Sequence, residues 1–344
     1  MLLVTGANGH LGANLVRRLL AEGQAVRVLL RKSSDNSTLD GLDVERLYGD
    51  LRDPRSLIAA VDGCRRVYHC AARVSIVSSG KQEIFETNVL GTRHLLTAAR
   101  DAGVERVVVS GSFSAVGHDP SRPANEEIPF NPFEKHLPYE FSKAAVEMEC
   151  LKAVAVGLDV VVATSCAIIG PYDFKPSRMG RVLVDFASGK LRAYIPGGFE
   201  FVAARDIVEG HVLAMQKGRP GQKYIFSTEF LTIDELMGIF EEVTGRSRPR
   251  LRLPAPLVAA IAGVSSFVLT NFFPSVPQRF TPASVRLLRS RRRADCSKAK
   301  RDLGYQPTSI AQAVREAYEW FVERGAIVAP KRSLSRAAQI GART

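Results

Sequence analysis

The stretch Met1-Leu2-Leu3-Val4-Thr5-Gly6-Ala7-Asn8-Gly9-His10-Leu11-Gly12 decides the fold. Leu2 to Val4 is a short apolar run that reads as a buried strand, and it passes directly into glycines spaced Gly-x-x-Gly-x-x-Gly. Gly6 permits a tight turn off the strand. Gly9 lets the backbone come close to a ligand, and Gly12 lets a following helix pack against the strand. That helix is expected over His10 to Glu22. Leu11, Leu15, Val16, Leu19 and Leu20 share one face, Asn14, Arg17 and Arg18 oppose it, and Gly23 ends it. A helix that begins on such a turn aims free N–H groups and the positive end of its dipole forward, which suits the pyrophosphate of a dinucleotide. Asn8, His10 and Leu11 belong to the same expected phosphate-facing turn.

Moving outward, short apolar runs alternate with amphipathic ones. Strands are expected at Ala25–Leu30, Val44–Tyr48, Arg66–Cys70, Glu105–Ser110 and Leu158–Thr164. Long helices are expected at Gln82–Ala102, closed by Gly103, and at Tyr139–Val156. This alternation predicts an α/β fold: a doubly wound parallel sheet of Rossmann type, in the order 3-2-1-4-5-6, with ligand at the switch point beside strand one. The rhythm fades in the second half, where proline and glycine recur. Thr232-Ile-Asp-Glu235 is a capping box for a helix that Gly245 ends, and Ile310, Val314, Ala317 and Phe321 mark a late amphipathic helix. The expected division is a dinucleotide-binding domain over 1–165 and a smaller, mostly helical substrate domain over 166–330. Part of 195–226 returns to the sheet, and 331–344 is a flexible basic tail.

The chain has 344 residues, 46% apolar and 24% charged, with a formal charge of +12. That is the composition of a globular protein. The basic excess suits a phosphate-bearing cofactor or an anionic surface; no RNA-binding or zinc-spacing signature points to nucleic acid or metal. Cysteines at 64, 70, 150, 166 and 296 contain no Cys-x-x-Cys pair, which predicts reduced thiols in a cytoplasmic setting. The first strand starts at Leu2, so no signal peptide is expected ahead of it. No apolar run reaches the roughly 18–20 residues of a spanning helix. Leu257–Phe273 comes nearest. It reads as a core helix of the substrate domain, or as a partly exposed helix whose Phe267, Leu269, Phe272 and Phe273 guide a lipophilic substrate at a membrane surface. Arg286, Arg289, Arg291, Arg292 and Arg293 would then attract anionic lipid.

Two further motifs carry chemistry. A carboxylate after the second strand would favour NAD, but this chain has Arg31-Lys32-Ser33-Ser34 there. Two cations and two hydroxyls suit a 2′-phosphate, so NADP is expected, with NAD the alternative. Tyr139-Glu-Phe-Ser-Lys143 places a phenol and an ammonium one helical turn apart. The strand ending Val109-Ser110-Gly111-Ser112 brings a serine to the sheet's carboxyl edge. A phenol is a poor acid at neutral pH unless tuned; a nearby ammonium would favour its phenolate, and a serine hydroxyl can hold a substrate oxygen.

On these residues the chain resembles the extended short-chain dehydrogenase/reductases over roughly 1–325, and within them the dihydroflavonol-reductase and 3β-hydroxysteroid-dehydrogenase branch. The matching segments are Thr5 to Gly12, Gly49-Asp50-Leu51, His69-Cys-Ala-Ala72, Asn88 to Thr92, Val109 to Gly117, Tyr139 to Lys143, Gly170-Pro171 and Arg205-Asp206. The resemblance implies that Tyr139 exchanges the proton, Lys143 binds the nicotinamide ribose and Ser112 meets the substrate oxygen. It implies that Asp50 and Leu51 flank the adenine, and that Ala71, Ala72, Ser110, Ser165 and Ile168 line the cofactor trough. Asn88 is open between a structural and a functional role. The segment Thr164 to Pro171 lacks the Arg-Pro or Asn-Pro usual in relatives. The implied activity is hydride transfer between a nicotinamide dinucleotide and a fairly apolar ketone or alcohol. A nucleotide-sugar epimerase or dehydratase and a non-catalytic dinucleotide sensor are the alternatives. His118 and His136 read as surface loop histidines. A homodimer is expected from the family's usual helix pairing.

Overall fold

The computed structural model describes residues 1–75, 80–134, 137–254, 258 and 282–328. Apart from Val258, the run Leu257–Phe273 lies outside the described residues, as do His136 and the basic tail. Along the chain the strands are β1 (Leu2–Thr5), β2 (Val26–Leu30), β3 (Glu45–Tyr48), β4 (Arg66–His69), β5 (Arg106–Ser112), β6 (Val160–Ser165), β7 (Ala167–Ile169), β8 (Ala193–Tyr194), β9 (Gly198–Ala203), β10 (Lys223–Phe226) and β11 (Glu229–Thr232). Seven of them form one sheet, in the order β10-β6-β5-β4-β1-β2-β3. Every pairing in it is parallel, with Leu2 opposite Val26 on one side and Arg66 on the other. Both of its faces are covered, which is why its strands are nearly continuous in apolar residues.

Helices α1 (His10–Ala21), α2 (Pro54–Val61), α3 (Lys81–Phe85), α4 (Gly91–Asp101), α5 (Pro138–Ala155), α6 (Arg178–Ala187), α7 (Ala204–Lys217) and α8 (Ile233–Thr244) follow in order. Side chains of one strand alternate between the two faces. Val4, Val108 and Val161 join Leu15 and Val16 of α1 and Ile207 and Val212 of α7. Leu3, Val107 and Val160 join Leu57 of α2, Leu95 of α4 and Val146 of α5.

The single helix expected over Gln82–Ala102 is three pieces. Between α3 and α4 the backbone widens into a π turn, Glu86–Leu90. The cause is local packing and bonding. Gly91 lies so close to Leu51 that a Cβ there would sit 2.7 Å from the leucine Cβ. Asn88, 1% exposed, is pinned by three side-chain hydrogen bonds. Such turns concentrate at functional sites.

The second half packs at the carboxyl end of β5 and β6 around its own apolar cluster. Besides helices it holds two small sheets, β11-β9-β7 and a parallel pair of β8 with Leu251–Arg252. The Thr232 and Glu235 side chains cap α8 reciprocally, and Gly245 ends it at φ +68°. Helix Ile310–Glu323 buries Ile310, Val314, Ala317 and Phe321 together. No described helix is long and apolar enough to cross a membrane.

Two histidines are locked inside the sheet layers. His69 bonds Thr5 Oγ1 (2.7 Å) and Thr92 Oγ1 (2.9 Å); His211 bonds Ser110 Oγ and the Ile207 carbonyl, both at 2.8 Å. Burial, helped by the charge of Lys143, pulls His69 down to about 3 and His211 to about 4. Both stay neutral in the folded chain while the unfolded chain protonates them near 6.5. Stability is therefore lost as pH falls from about 6.5 toward 4, by about 1.4 kcal/mol per pH unit for each histidine. Urea unfolding between pH 7 and about 4.5 should show this decline, and His69→Gln should remove about half of the histidine slope. A flat profile would contradict it.

Candidate active site

The turn between β1 and α1 is built by close backbone contact. Gly6 sits at φ +71°, and a Cβ there would lie 2.6 Å from the Ala71 nitrogen; a Cβ on Gly12 would lie 2.2 Å from the Gly6 carbonyl oxygen. No side chain fits at either place. The turn opens into a cleft lined by Gly6, Asn8 and Gly9, by Arg31 and Ser34 after β2, by Asp50 and Leu51 after β3, and by Ala71, Ala72 and Arg73 after β4. All lie at the carboxyl ends of adjacent strands, where such sheets bind ligands. The cradle left by the glycines, the helix N-terminus behind it and the cation of Arg31 fit a dinucleotide and its phosphates.

The remaining residues expected around the cofactor take other places. His10 Nε2 and Asn14 Nδ2 both lie on the Pro171 carbonyl (3.0 and 2.9 Å), tying α1 to the second half of the chain. Leu11 packs on the core. Lys32 is exposed and does not line the cleft. Asp50 is clasped by Arg52 Nε and Nη2, both at 2.9 Å, which holds its carboxyl below the ordinary range. Asn8 bonds Asn36 Oδ1 (2.9 Å) and Lys175 bonds the Asp35 carbonyl (2.9 Å), so the loop carrying Arg31 is braced from two sides. Ser165 pairs with Ser112 across β6 and β5, and Ile168 on β7 packs on the core.

Ser112, Tyr139 and Lys143 converge where β5 ends and α5 begins. The Ser112 hydroxyl acts on the Tyr139 phenol and shares a hydrogen bond, 2.8 Å, with Ser114 Oγ. Burial pushes the phenol above its ordinary value; the Ser112 bond and the charge of Arg178 oppose the rise. Lys143 is 6% exposed and donates to the Ser110 carbonyl at 2.8 Å. Burial lowers its ammonium to about 8. The Ser110 hydroxyl turns away from the cleft to His211.

Sequence reasoning left the role of Asn88 open and passed over two further contributors. Asn88 accepts from the Arg73 N–H (2.7 Å) and donates to the Arg73 carbonyl (3.0 Å) and Ser142 Oγ (2.9 Å), joining the loop after β4 to the helix of Tyr139. Arg292, expected at the surface, instead donates to the Val116 and Gly117 carbonyls (2.7 and 2.9 Å) and lies over Phe113 (4.8 Å). It clamps the segment after Ser112. Arg178, the first residue of α6, has no motif around it. His118 is exposed.

Residues 2–226 match the profile of the NAD dependent epimerase/dehydratase family. The chain is 49% identical to Sterol demethylase protein B of Methylococcus capsulatus, covering 94% of this chain and 99% of that protein. It is 27% identical to the mouse (Mus musculus) sterol-4-alpha-carboxylate 3-dehydrogenase, decarboxylating, over 92% of this chain and 90% of the other. Among solved structures it is similar to DesIV, a dTDP-glucose 4,6-dehydratase from Streptomyces venezuelae with NAD and TYD bound. There the TM-score is 0.76 and the identity 27%, over 95% of this chain and 98% of that one. A profile match over most of the chain, on a parallel sheet with a glycine turn at its switch point, shows the family. The chain belongs to the NAD-dependent epimerase/dehydratase family, the extended short-chain dehydrogenase/reductases, and is an NAD(P)-dependent oxidoreductase.

Proposed function

We propose that this chain interconverts a ring hydroxyl and a ketone on a large apolar substrate of sterol type, with Tyr139 exchanging the proton at the reacting oxygen. The observation that carries the reading is the buried Lys143, fastened at 2.8 Å to the Ser110 carbonyl of the strand that ends in Ser112, one turn along α5 from Tyr139. The kinship with Sterol demethylase protein B supports the substrate class, and the mouse sterol dehydrogenase supports oxidation of the hydroxyl as the working direction.

Gly6, Gly9 and Gly12 would hold the diphosphate, Asp50 and Leu51 the adenine, and Lys143 the nicotinamide ribose. The nicotinamide dinucleotide, when bound, supplies the acceptor or donor of hydride. The protein's own part is proton management. Burial keeps Tyr139 protonated, so it can give a proton to a carbonyl oxygen; the Ser112 hydroxyl and the Arg178 charge oppose that rise and would lower the cost of the reverse transfer. Ser112 would hold the substrate oxygen beside the phenol. Arg31 stands exposed at the cleft wall without a salt bridge to any described residue, which supports a 2′-phosphate and hence NADP. We also propose a second copy of the chain as partner. Met148 and Leu151 of α5 are 54% and 48% exposed, on a helix whose opposite face is buried.

Assay of nicotinamide reduction with 3-hydroxysterols, and of the reverse reaction with 3-ketosterols, tests the reading. Tyr139→Phe should lower turnover by about 100-fold or more while dinucleotide binding persists. Near-normal turnover would reject Tyr139 as the proton donor. Redox exchange with sugar nucleotides and none with sterols would favour the epimerase reading. Arg31→Ala should weaken NADPH by roughly tenfold to a hundredfold and NADH little. Equal losses, or a wild-type preference for NADH, would count against NADP.

A further inference from the structure

Ser112 sits on a very short piece of structure. Phe113–Ala115 is a single 3-10 turn at the end of β5, and the Ser112 side chain caps it by accepting from the Ser114 N–H at 3.3 Å. The two serine hydroxyls share one further hydrogen bond, 2.8 Å. A turn of three residues has almost no stability of its own, so contacts from elsewhere must fix it. One side chain of the second half supplies them. Arg292 Nη2 donates to the Val116 carbonyl at 2.7 Å and to the Gly117 carbonyl at 2.9 Å, and its guanidinium lies 4.8 Å from the centre of the Phe113 ring. Arg292 therefore touches the turn at its start and just past its end. Its neighbours do not: Arg293 lies over Phe230, and Arg291 is exposed.

Holding Arg292 there has two local costs. Arg291 lies at φ +44°, a left-handed conformation that residues other than glycine avoid. Arg292 Nε is buried without a hydrogen-bond partner among the described residues. Strain and an unsatisfied donor kept side by side at the reacting edge point to a functional constraint. We propose that Arg292 is a positioning residue for the reaction: it fixes the turn that carries Ser112 and Ser114, so that a side chain of the second half sets the orientation of the hydroxyl at the reacting oxygen. This rests on the reading of Ser112 as the group that holds that oxygen. Nη2 carries two N–H groups, one for each carbonyl, while the flat face of the guanidinium lies on the ring. A lysine ammonium could meet the carbonyls but has no face to lay on Phe113. The main chain beside Arg292 is docked independently. Ala124 N–H donates to the Arg293 carbonyl (2.8 Å), Asp295 N–H to the Ala124 carbonyl (2.9 Å) and Ala294 N–H to Glu200 Oε2 (3.0 Å). Shortening the Arg292 side chain thus leaves the segment seated and frees the turn.

The test uses the full chain in the sterol assay above. Arg292→Met should lower kcat by roughly tenfold to a hundredfold, change KM by less than about threefold and leave the dinucleotide Kd unchanged. Arg292→Lys should recover part of the loss, and Arg293→Met should keep the wild-type kcat. In a Ser112→Ala background, Arg292→Met should cost little more, since no hydroxyl remains to be misplaced. Thermal unfolding by circular dichroism establishes that the variants fold; should Arg292→Met fail to, Arg292→Lys reads the same split between kcat and KM. A normal kcat in Arg292→Met would overturn the proposal. So would a loss confined to KM or to the dinucleotide, an equal loss in Arg293→Met, or a full additional loss on top of Ser112→Ala. Normal turnover in Ser112→Ala would instead sink the reading of Ser112. If wild type turns over no sterol, the proposed reaction fails and amide hydrogen exchange decides the clamp: faster exchange over residues 113–117 in Arg292→Met supports it, and unchanged exchange overturns it.

Discussion

The ammonium of Lys143 is the constraint on which the centre of this protein is organised. A cation carried to 6% exposure is costly unless its protons are satisfied, and the Ser110 carbonyl, 2.8 Å away, meets one of them. No carboxylate is bonded to it. Glu147, one turn along α5, is paired with Lys223 at 2.9 Å. A single buried positive charge then governs what surrounds it. His69 and His211 are both pulled down by burial and, further, by that charge, so neither adds a second cation. Cys70 is held near 11 by burial and stays a neutral thiol. The neutral ring of His211 must carry its proton on Nδ1, facing the Ile207 carbonyl, which leaves Nε2 to accept from Ser110.

From that point the hydrogen bonds run outward through both layers. Ser110 ties β5 to α7 through His211, below the sheet's reacting edge. On the other layer, Asn88 ties the loop after β4 to Ser142, whose hydroxyl donates to the Tyr139 carbonyl at 2.8 Å. The π turn is what lets Asn88 reach both. An unbroken α-helix would turn the side chain aside and leave the Arg73 backbone unsatisfied. Arg292 fixes the third side by clamping Val116 and Gly117. A site held by its neighbours in this way keeps its geometry without depending on loop order.

The parts of this arrangement that were legible in the sequence are those whose causes are local. The glycine turn is readable because Gly6 and Gly12 are demanded by contacts within their own strand, turn and helix, and with the adjoining strand end. The sheet order followed because parallel crossovers have one hand. The Tyr139–Lys143 spacing placed both groups on one helix face. What was not legible depends on chain far away. The acceptor that holds Lys143 is a strand carbonyl 33 residues earlier, which helix spacing does not register. The Pro171 carbonyl is fastened to His10 and Asn14 of the first helix, 161 and 157 residues earlier. Arg292 looked like one more surface charge in a basic run until the fold carried it against β5. The break in the helix after Lys81 follows from the bonds of Asn88, which periodicity does not register.

The formal charge of +12 points in the same direction but is too coarse to locate anything. Many of the cations behind it have acidic partners: Arg18 meets Glu22 and Glu209, Arg65 meets Glu105, Arg205 meets Glu316. Such exposed pairs contribute little to stability and say little about ligands. The informative cations are those left unmatched beside a concave surface. Arg31 lines the ligand trough after β2, beside Ser34. Most of the remaining lining is glycine, alanine and leucine, and its other charges are matched: Asp50 by Arg52 and Arg73 by Glu83. A cleft that keeps the Arg31 cation without a salt bridge, its other charges being matched, favours a ligand that brings an anionic group to that end. Electrostatics of that kind sets orientation as well as affinity, because exchanging the two ends would bring the wrong chemistry to Tyr139.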